Sequence, residues 1–400
     1  MRHPPSDAAG ILGTPARSIG LLLRGMALTL VLAGMVLAPA AQASQRTAAQ
    51  STIHFYGLAD TNVADMWTGT LLPDFEKAYP QYTVKFVNLL HGNGAQVALI
   101  DRIVAAKAAG KVSGIDLFED NPLNYVFPAG KTAHDYFAPV TAHAVANIKL
   151  IAPQVQAQAQ TLGIAYRSSA VTLAYNTAYV SNPPKTFDGL IAWIKAHPGK
   201  FTYCNPQDGG TGSFFAARAV MNVMDERALL KPYNPAAEKN WPKAWALLRS
   251  IEPSLYKNGF HPNGNIPVLN LLGRGALWMA TAWSDQGLQF RDQGLLPPTI
   301  HFTQITPPFG GGPTFIAVPA DAQNKAGAFA LLNFVLRPAE QGKIIKAIEG
   351  FPGIAFKYMP ASVMEHFGTL TKGFDTNWTG SGRFSDDLKR LWAANVPAGR

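Results

Sequence analysis

The sequence predicts an α/β protein built as two units. Three features predict it: a β-α-β-α-β succession from Thr52 to Phe118, a restart of that alternation near Ile164, and a Pro/Gly-rich break at Pro307–Pro313 followed by another strand. With 400 residues, 48% of them hydrophobic, the chain can bury one or two sizeable cores. Disorder and a small staple-dependent scaffold are excluded.

Thr52-Ile53-His54-Phe55-Tyr56 reads as the first strand. A helix follows with Leu71, Leu72, Phe75 and Tyr79 on one face, then a strand at Thr83–Val87. A second helix presents Val97, Ile100 and Val104, stops at Gly110, and leads into the strand Ile115–Phe118. Alternation of this kind implies parallel pairing with helices on the sheet faces, and ligands in such sheets sit beyond the carboxyl ends of the strands. That rule brings Ala59–Asn62 and Glu119–Asn121 to one rim.

The second unit begins with a strand at Val171–Tyr175. Phe187, Leu190, Ile191 and Ile194 then recur at helical spacing, followed by a strand at Phe201–Tyr203 and the glycine loop Asp208–Ser213 opening a helix from Phe214. Next come a helix carrying Trp241, Trp245 and Leu248, one near Leu269–Leu272, a strand Ala276–Ala280, a loop Thr281–Asp285 and a strand Ile300–Ile305. Beyond the Pro/Gly break stand a strand Thr314–Val318, an apolar helix Ala326–Leu336, a helix from Ala339 to Ile348, and a tail ending in an amphipathic turn with Leu388, Leu391 and Trp392. No repeat of solenoid period occurs.

Charge excludes more than it assigns. Lys and Arg total 34 against 25 Asp and Glu, giving +9, yet only 15% of residues are charged and no basic run exceeds Lys389-Arg390. A nucleic-acid binder concentrates its bases in a stripe, so the expectation is no nucleic-acid partner. Arg2, Arg17 and Arg24, the apolar run Met26–Ala38 and the triplet Ala41-Gln42-Ala43 have the order of a secretory leader cleaved after Ala43. Removing residues 1–43 leaves +7 on an exported chain. Cys204 is the only cysteine, so no internal disulfide forms, and a buried inert thiol is expected.

Several segments resemble one family. Phe75-Glu76-Lys77-x-Tyr79-Pro80 stands before a strand and Pro183-Pro184-Lys185-Thr186-Phe187 before a helix. His197-Pro198-Gly199-Lys200-Phe201 follows, and Asn324-Lys325-Ala326-Gly327-Ala328 leads to Leu332-Asn333-Phe334-Val335-Leu336-x-Pro338-x-x-Gln341. In this order they resemble the extracellular solute-binding proteins of bacterial ABC importers, nearest a thiamine-type branch beside the polyamine and ferric-ion groups. The resemblance implies the two-lobed type II periplasmic-binding fold, each lobe a mixed, mostly parallel sheet flanked by helices around a hinged cleft. It also implies lobe one at residues 44–165, lobe two at 166–307, and a return to lobe one with a C-terminal helical tail at 308–400. A small solute and a membrane permease are the implied partners of a periplasmic monomer, with no cofactor and no catalysis.

Candidate ligand contacts lie on the predicted rim. Asp60, Glu119, Asp120 and Asp285 are notable in a chain so poor in acids, and Trp67 and Trp283 are placed to stack on an organic cation. Thr61, Asn62, Asn121 and Ser284 flank them. Thr211, Gly212 and Ser213 open a helix whose free N–H groups suit a polar ligand atom. The competing reading is that these acids cap helices or shape turns, that Ser or Thr caps the glycine-loop helix, and that His91–Gly94 is a turn. Trp241, Trp245 and Trp378 fit packing or surface roles. Ser254-x-x-Lys257 with Ser284-Asp285-Gln286 raises a serine hydrolase as the alternative, without the third motif that such enzymes carry. Phosphonate, sugar and ferric ion are alternative ligands. Iron is disfavoured because the chain has no Tyr-Tyr pair, the feature the ferric-ion group relies on.

Overall fold

The computed structural model describes residues 51–89, 95–224, 235–370 and 382–397. The leader, His91–Gly94 and Trp378 lie outside them. Strand β1 (Ser51–Gly57) pairs in parallel with β2 (Tyr82–Asn88) and with β3 (Leu117–Glu119), as the alternation predicts. Between β1 and β2 run α1 (Thr61–Met66), a π-helical turn Trp67–Leu71 and α2 (Leu72–Ala78). Pro73 has no N–H to offer the preceding turn, which fits the widened helix just before it. Helix α3 (Ala95–Ala108) links β2 to β3 and buries Leu99, Ile100 and Ile103, so Val97 faces out rather than in.

A short α4 (Pro153–Gln156) precedes β4 (Ile164–Asn176), the longest strand. Its 13 residues reach further than the predicted Val171–Tyr175, because nearly every side chain along it is buried. Then follow α5 (Phe187–Ala196), β5 (Phe201–Thr202), α6 (Gly210–Met221), α7 (Trp241–Ile251) and α8 (Asn265–Gly273). Strand β6 (Met279–Trp283) and α9 (Ser284–Asp292) occupy what the sequence suggests is a strand at 276–280 and a loop at 281–285. The strand sits later because Met279–Trp283 is the stretch in register with Val171–Tyr175.

Strand β7 (Ile300–Thr303) is followed by β8 (Gly311–Ala317), which starts inside the expected break. Gly311 and Gly312 adopt φ of 149° and 150°, open to glycine but not to other residues, and still pair with Ala170 and Ser169. The chain ends through α10 (Lys325–Val335), α11 (Pro338–Ile348), β9 (Phe351–Pro352), α12 (Ala361–Leu370) and α13 (Gly382–Asn395).

Strand β4 joins the halves. Its first half pairs with β8 and β9, its second with β6 and β7, all antiparallel, giving the order β2-β1-β3-β8-β4-β6-β5. The sheets are mixed as expected, but parallel pairing is confined to β1 with its two neighbours and to β5–β6.

All the described residues belong to one compact unit, inside which two large apolar cores form. One gathers Ile53, Phe55, Trp67 and Phe75 with Leu332, Phe334 and Ile345 from after the break. The other gathers Leu190, Phe215, Trp241 and Trp245 with Phe309. The C-terminal tail packs with the second core. Phe384, Leu388, Trp392 and Val396 of α13 enter the second core, where the Trp392 indole donates to the Tyr203 hydroxyl at 3.4 Å and stands edge-on to His261.

Replacing Trp392 by alanine removes that contact and leaves a large void. It is expected to cost about 3–5 kcal/mol in urea-induced unfolding, whereas a tail packed only on the surface would leave the midpoint unmoved. A second outcome concerns Glu349, which closes α11 at φ 51° with its Oε2 buried. Burial and the adjoining Asp292 carboxyl push its pKa up from 4.5 to about 8, against the pull of Arg291. A carboxyl raised by folding holds a proton the unfolded chain has released, so its stabilisation is complete below pH 4.5 and is lost as pH rises through about 8. The urea midpoint is expected to fall across that window, and Glu349→Gln to flatten the fall.

Candidate functional site

The loop after β1 is held from two sides. The Leu58 N–H donates to Glu119 Oε2 at 2.9 Å, and Asn88 at the end of β2 exchanges both amide bonds with Ala59, at 3.1 and 2.9 Å. This fixes Asp60 at the start of α1. Asp60 occupies the N-cap position there, yet its carboxylate makes no capping bond. It faces the other half of the molecule instead: Asn265 Nδ2 lies 3.4 Å and Gln286 Nε2 3.5 Å from Asp60 Oδ2. Asn265 opens α8 and Gln286 lies in the first turn of α9, so a seam between the halves is lined by one carboxylate and two carboxamides.

Two buried carboxamides, one on α1 and one on α9, are incomplete. Asn62, only 8% exposed, has neither amide atom hydrogen-bonded, and Gln286, 2% exposed, leaves its Oε1 unpaired. A buried polar atom without a partner costs about 1–3 kcal/mol. Such an atom in a native fold asks for an explanation, of which a water, an ion or a ligand is one kind.

The other expected acids have structural partners. Glu119 is buried, accepting from the Tyr166 hydroxyl on Oε1 and from Leu58 on Oε2. Asp120 accepts from the Asn121 N–H and the Tyr125 hydroxyl, and Asn121 caps a short turn at Leu123 while donating to Gln158. Asp285 accepts from Ser169 at 2.6 Å. Arg167, on β4, lies between two of these acids: Nη1 is 3.5 Å from Asp285, Nη2 is 4.0 Å from Glu119, and Nε donates to Tyr166 at 2.9 Å. Burial raises the Tyr166 and Asp285 pKa values. For Arg167 burial acts against the charge, but the phenol and both carboxylates outweigh it and hold its pKa up. The cation that these acids attract is the protein's own.

Trp67 does not stack on a ligand. It is fully buried, edge-on to Phe55 at 5.0 Å and tilted against Tyr166, because the π-helical turn directs it into the core. Trp283 ends β6, half-buried and edge-on to Phe214. Thr61 is exposed beside Asp60. Ser284 uses its hydroxyl to accept from the Ala170 N–H. At the glycine loop the helix starts at Gly210, earlier than expected, and its amides are already used: Thr211 donates to Asn265 Oδ1 at 3.0 Å and Gly212 to Cys204 Sγ at 3.1 Å. A Cβ on Gly212 would lie 1.8 Å from the Cys204 carbonyl oxygen, so that position admits only glycine. Ser213 bonds back to Gly210. Thr211 thus orients Asn265 rather than a ligand, and burial pushes the Cys204 thiol up.

The hydrolase motif does not assemble. Ser254 ends a short turn, Leu255 is extended, and Lys257 lies exposed over the Tyr256 ring, so serine and lysine do not share a helix. No group of three His, Cys, Asp or Glu side chains suited to a metal occurs among the described residues.

The sequence profile of the family described as bacterial extracellular solute-binding protein matches residues 70–362, more than half of the chain. A curated relative, protein YnjB of Escherichia coli K12, is 28% identical over 177 residues, a match that spans 43% of this chain and 45% of that protein's length. The fold is similar to that of the GacH receptor of Streptomyces glaucescens, solved unliganded and with acarbose, at TM-score 0.66 and 14% identity, covering 87% of this chain and 93% of that one. It is also similar to PotD of Streptococcus pneumoniae, a spermidine/putrescine ABC transporter substrate-binding protein, at TM-score 0.60 and 13% identity, covering 87% and 100%. At these identities the structural likeness concerns the fold.

Arg167 is expected to be the costliest single charge to remove. Arg167→Met leaves Glu119 and Asp285 facing each other without a counter-ion, a loss of about 3–5 kcal/mol in chemical denaturation. Adding Glu119→Gln and Asp285→Asn to that variant is expected to recover most of it. No recovery would mean that the guanidinium acts through packing alone.

Proposed function

The chain belongs to the bacterial extracellular solute-binding proteins, and from that premise we propose that it captures a small polar organic cation at the Asp60 seam and delivers it to the membrane permease of an ABC importer. It acts as a periplasmic monomer, exported with residues 1–43 as the cleaved leader. One lobe comprises residues 44–165 with the return after 308, the other residues 166–307 together with α13. The single observation that carries this reading is the pair of buried, unpaired carboxamides, Asn62 and Gln286, beside a carboxylate that caps nothing. Groups left unsatisfied where two lobes meet are satisfied by a solute that contacts both.

Solute binding then favours the closed arrangement, because only there does the ligand touch Asp60 and α8 or α9 together. Among organic cations, the resemblance implies thiamine-type and polyamine-type solutes, which differ in the number and kind of their charges.

The test is equilibrium dialysis and thermal shift against amines, thiamine, polyamines, phosphonates and sugars, with solution scattering on any solute that binds. The expected result is one amine-bearing solute that binds and shrinks the scattering radius. Asp60→Ala should weaken that binding about tenfold or more, as loss of a hydrogen bond to a charged group does. Binding without contraction, or contraction untouched by Asp60→Ala, would place the ligand elsewhere.

A further inference from the structure

The solute-binding reading can be carried to a ligand class, on which it does not itself depend. We propose that the seam selects a cation with a single positive charge whose charged nitrogen still bears hydrogens, a primary or secondary ammonium.

The charge count comes first. Three acids converge on this region, Asp60, Glu119 and Asp285. A diamine or polyamine needs a carboxylate near each ammonium, and by number alone the acids could supply them. Arg167 removes two from consideration, standing 3.5 Å from Asp285 and 4.0 Å from Glu119. The remaining oxygens of that pair, Glu119 Oε2 and Asp285 Oδ1, accept from Leu58 and Ser169, and Tyr166 donates to the Glu119 oxygen that faces Arg167. Asp60 alone makes no ion pair with a cation among the described residues, and its neighbours at Oδ2 are neutral amides. A second ammonium in this seam would meet carboxamides and a buried guanidinium, which repels it.

The hydrogen requirement comes from Gln286. Its Nε2 is turned to Asp60 at 3.5 Å, and Oε1 of the same carboxamide is buried and has no donor. The carboxylate of one residue and the free amide oxygen of its hydrogen-bonded neighbour offer an ammonium two acceptors for its N–H groups, the carboxylate bond being the stronger because it is charge-assisted. A quaternary nitrogen carries no hydrogen and leaves Oε1 as it was. Asn62, with donor and acceptor both unpaired, suits a hydroxyl or amide on the same solute.

Matched probes separate these requirements on the full exported chain. 4-Amino-1-butanol and putrescine have the same length and differ by one ammonium; ethanolamine and choline share a hydroxyethyl group and differ in N–H bonds. By calorimetry, 4-amino-1-butanol is expected to bind at least tenfold more tightly than putrescine, and ethanolamine at least tenfold more tightly than choline. Gln286→Glu supplies a second carboxylate and should reverse the first preference, with circular dichroism confirming that the variant is folded. Equal or tighter binding of putrescine or choline, or an unreversed preference in folded Gln286→Glu, overturns the proposal. If no amine binds while a sugar or phosphonate binds and contracts the protein, the ligand class is wrong and the solute-binding reading survives. If no solute of any class binds, both fall.

Discussion

The buried guanidinium of Arg167 is the interaction on which the geometry of both halves depends. Removing an ion from water costs several kcal/mol even after the protein relaxes, and this one lies near the start of the strand that both halves share. It is tolerable only because each half contributes to its surroundings: Glu119 from the end of β3, Tyr166 from β4 itself, and Asp285 from the first turn of α9. Those partners hold other groups in turn. Glu119 fixes Leu58, two residues before Asp60, and Asp285 is next to Gln286 in a helix. The placement of the seam's polar atoms is therefore a by-product of neutralising one charge.

That arrangement shows why the fold was largely legible in the sequence and the site only partly so. Strands and helices announce themselves through periodicity, which is local, and the β1–α–β2–α–β3 unit and the apolar helices followed from it. What periodicity does not report is the partner. Strand β4 looked short because its first half, Ile164–Ala170, contains Tyr-Arg-Ser-Ser, a polar run that becomes strand only when β8 covers it. The last helix shows the same limit. Its apolar face at Phe384, Leu388 and Trp392 says that it packs, not on what.

The site was read from residue type, and type alone does not tell a structural acid from a functional one. Asp120 and Asn121 turned out to be turn formers, Glu119 and Asp285 counter-ions, and Trp67 a core residue; Asp60 remains at the seam. The missing residues left weaker signals. Arg167 is the one charged side chain in a 13-residue buried strand, a conspicuous cost that demands an explanation. Asn265 follows Gly264 at a helix start, and Gln286 stood beside two residues already singled out. Their importance is relational: Asn265 matters because Thr211 and Asp60 both meet it across more than fifty residues of chain.

The unpaired carboxamides also bear on energetics. In the arrangement described, the seam excludes water from Asn62 and from Gln286 Oε1 without replacing its hydrogen bonds. Each such atom costs about 1–3 kcal/mol, a penalty of the order that separates conformations populated at a few per cent or less. On the proposed reading, opening the seam rehydrates these atoms and removes the penalty, so the groups that favour closing around a solute also bias the empty protein toward opening. A site whose polar atoms were all satisfied internally would close with or without ligand and could not report that it was filled. On the proposed reading, incomplete hydrogen bonding at Asn62 and Gln286, set within a framework completed at Arg167, is what links closure to capture. The two networks therefore differ in role on the proposed reading: the one completed at Arg167 holds the framework, and the one left incomplete at Asn62 and Gln286 is where a solute adds hydrogen bonds.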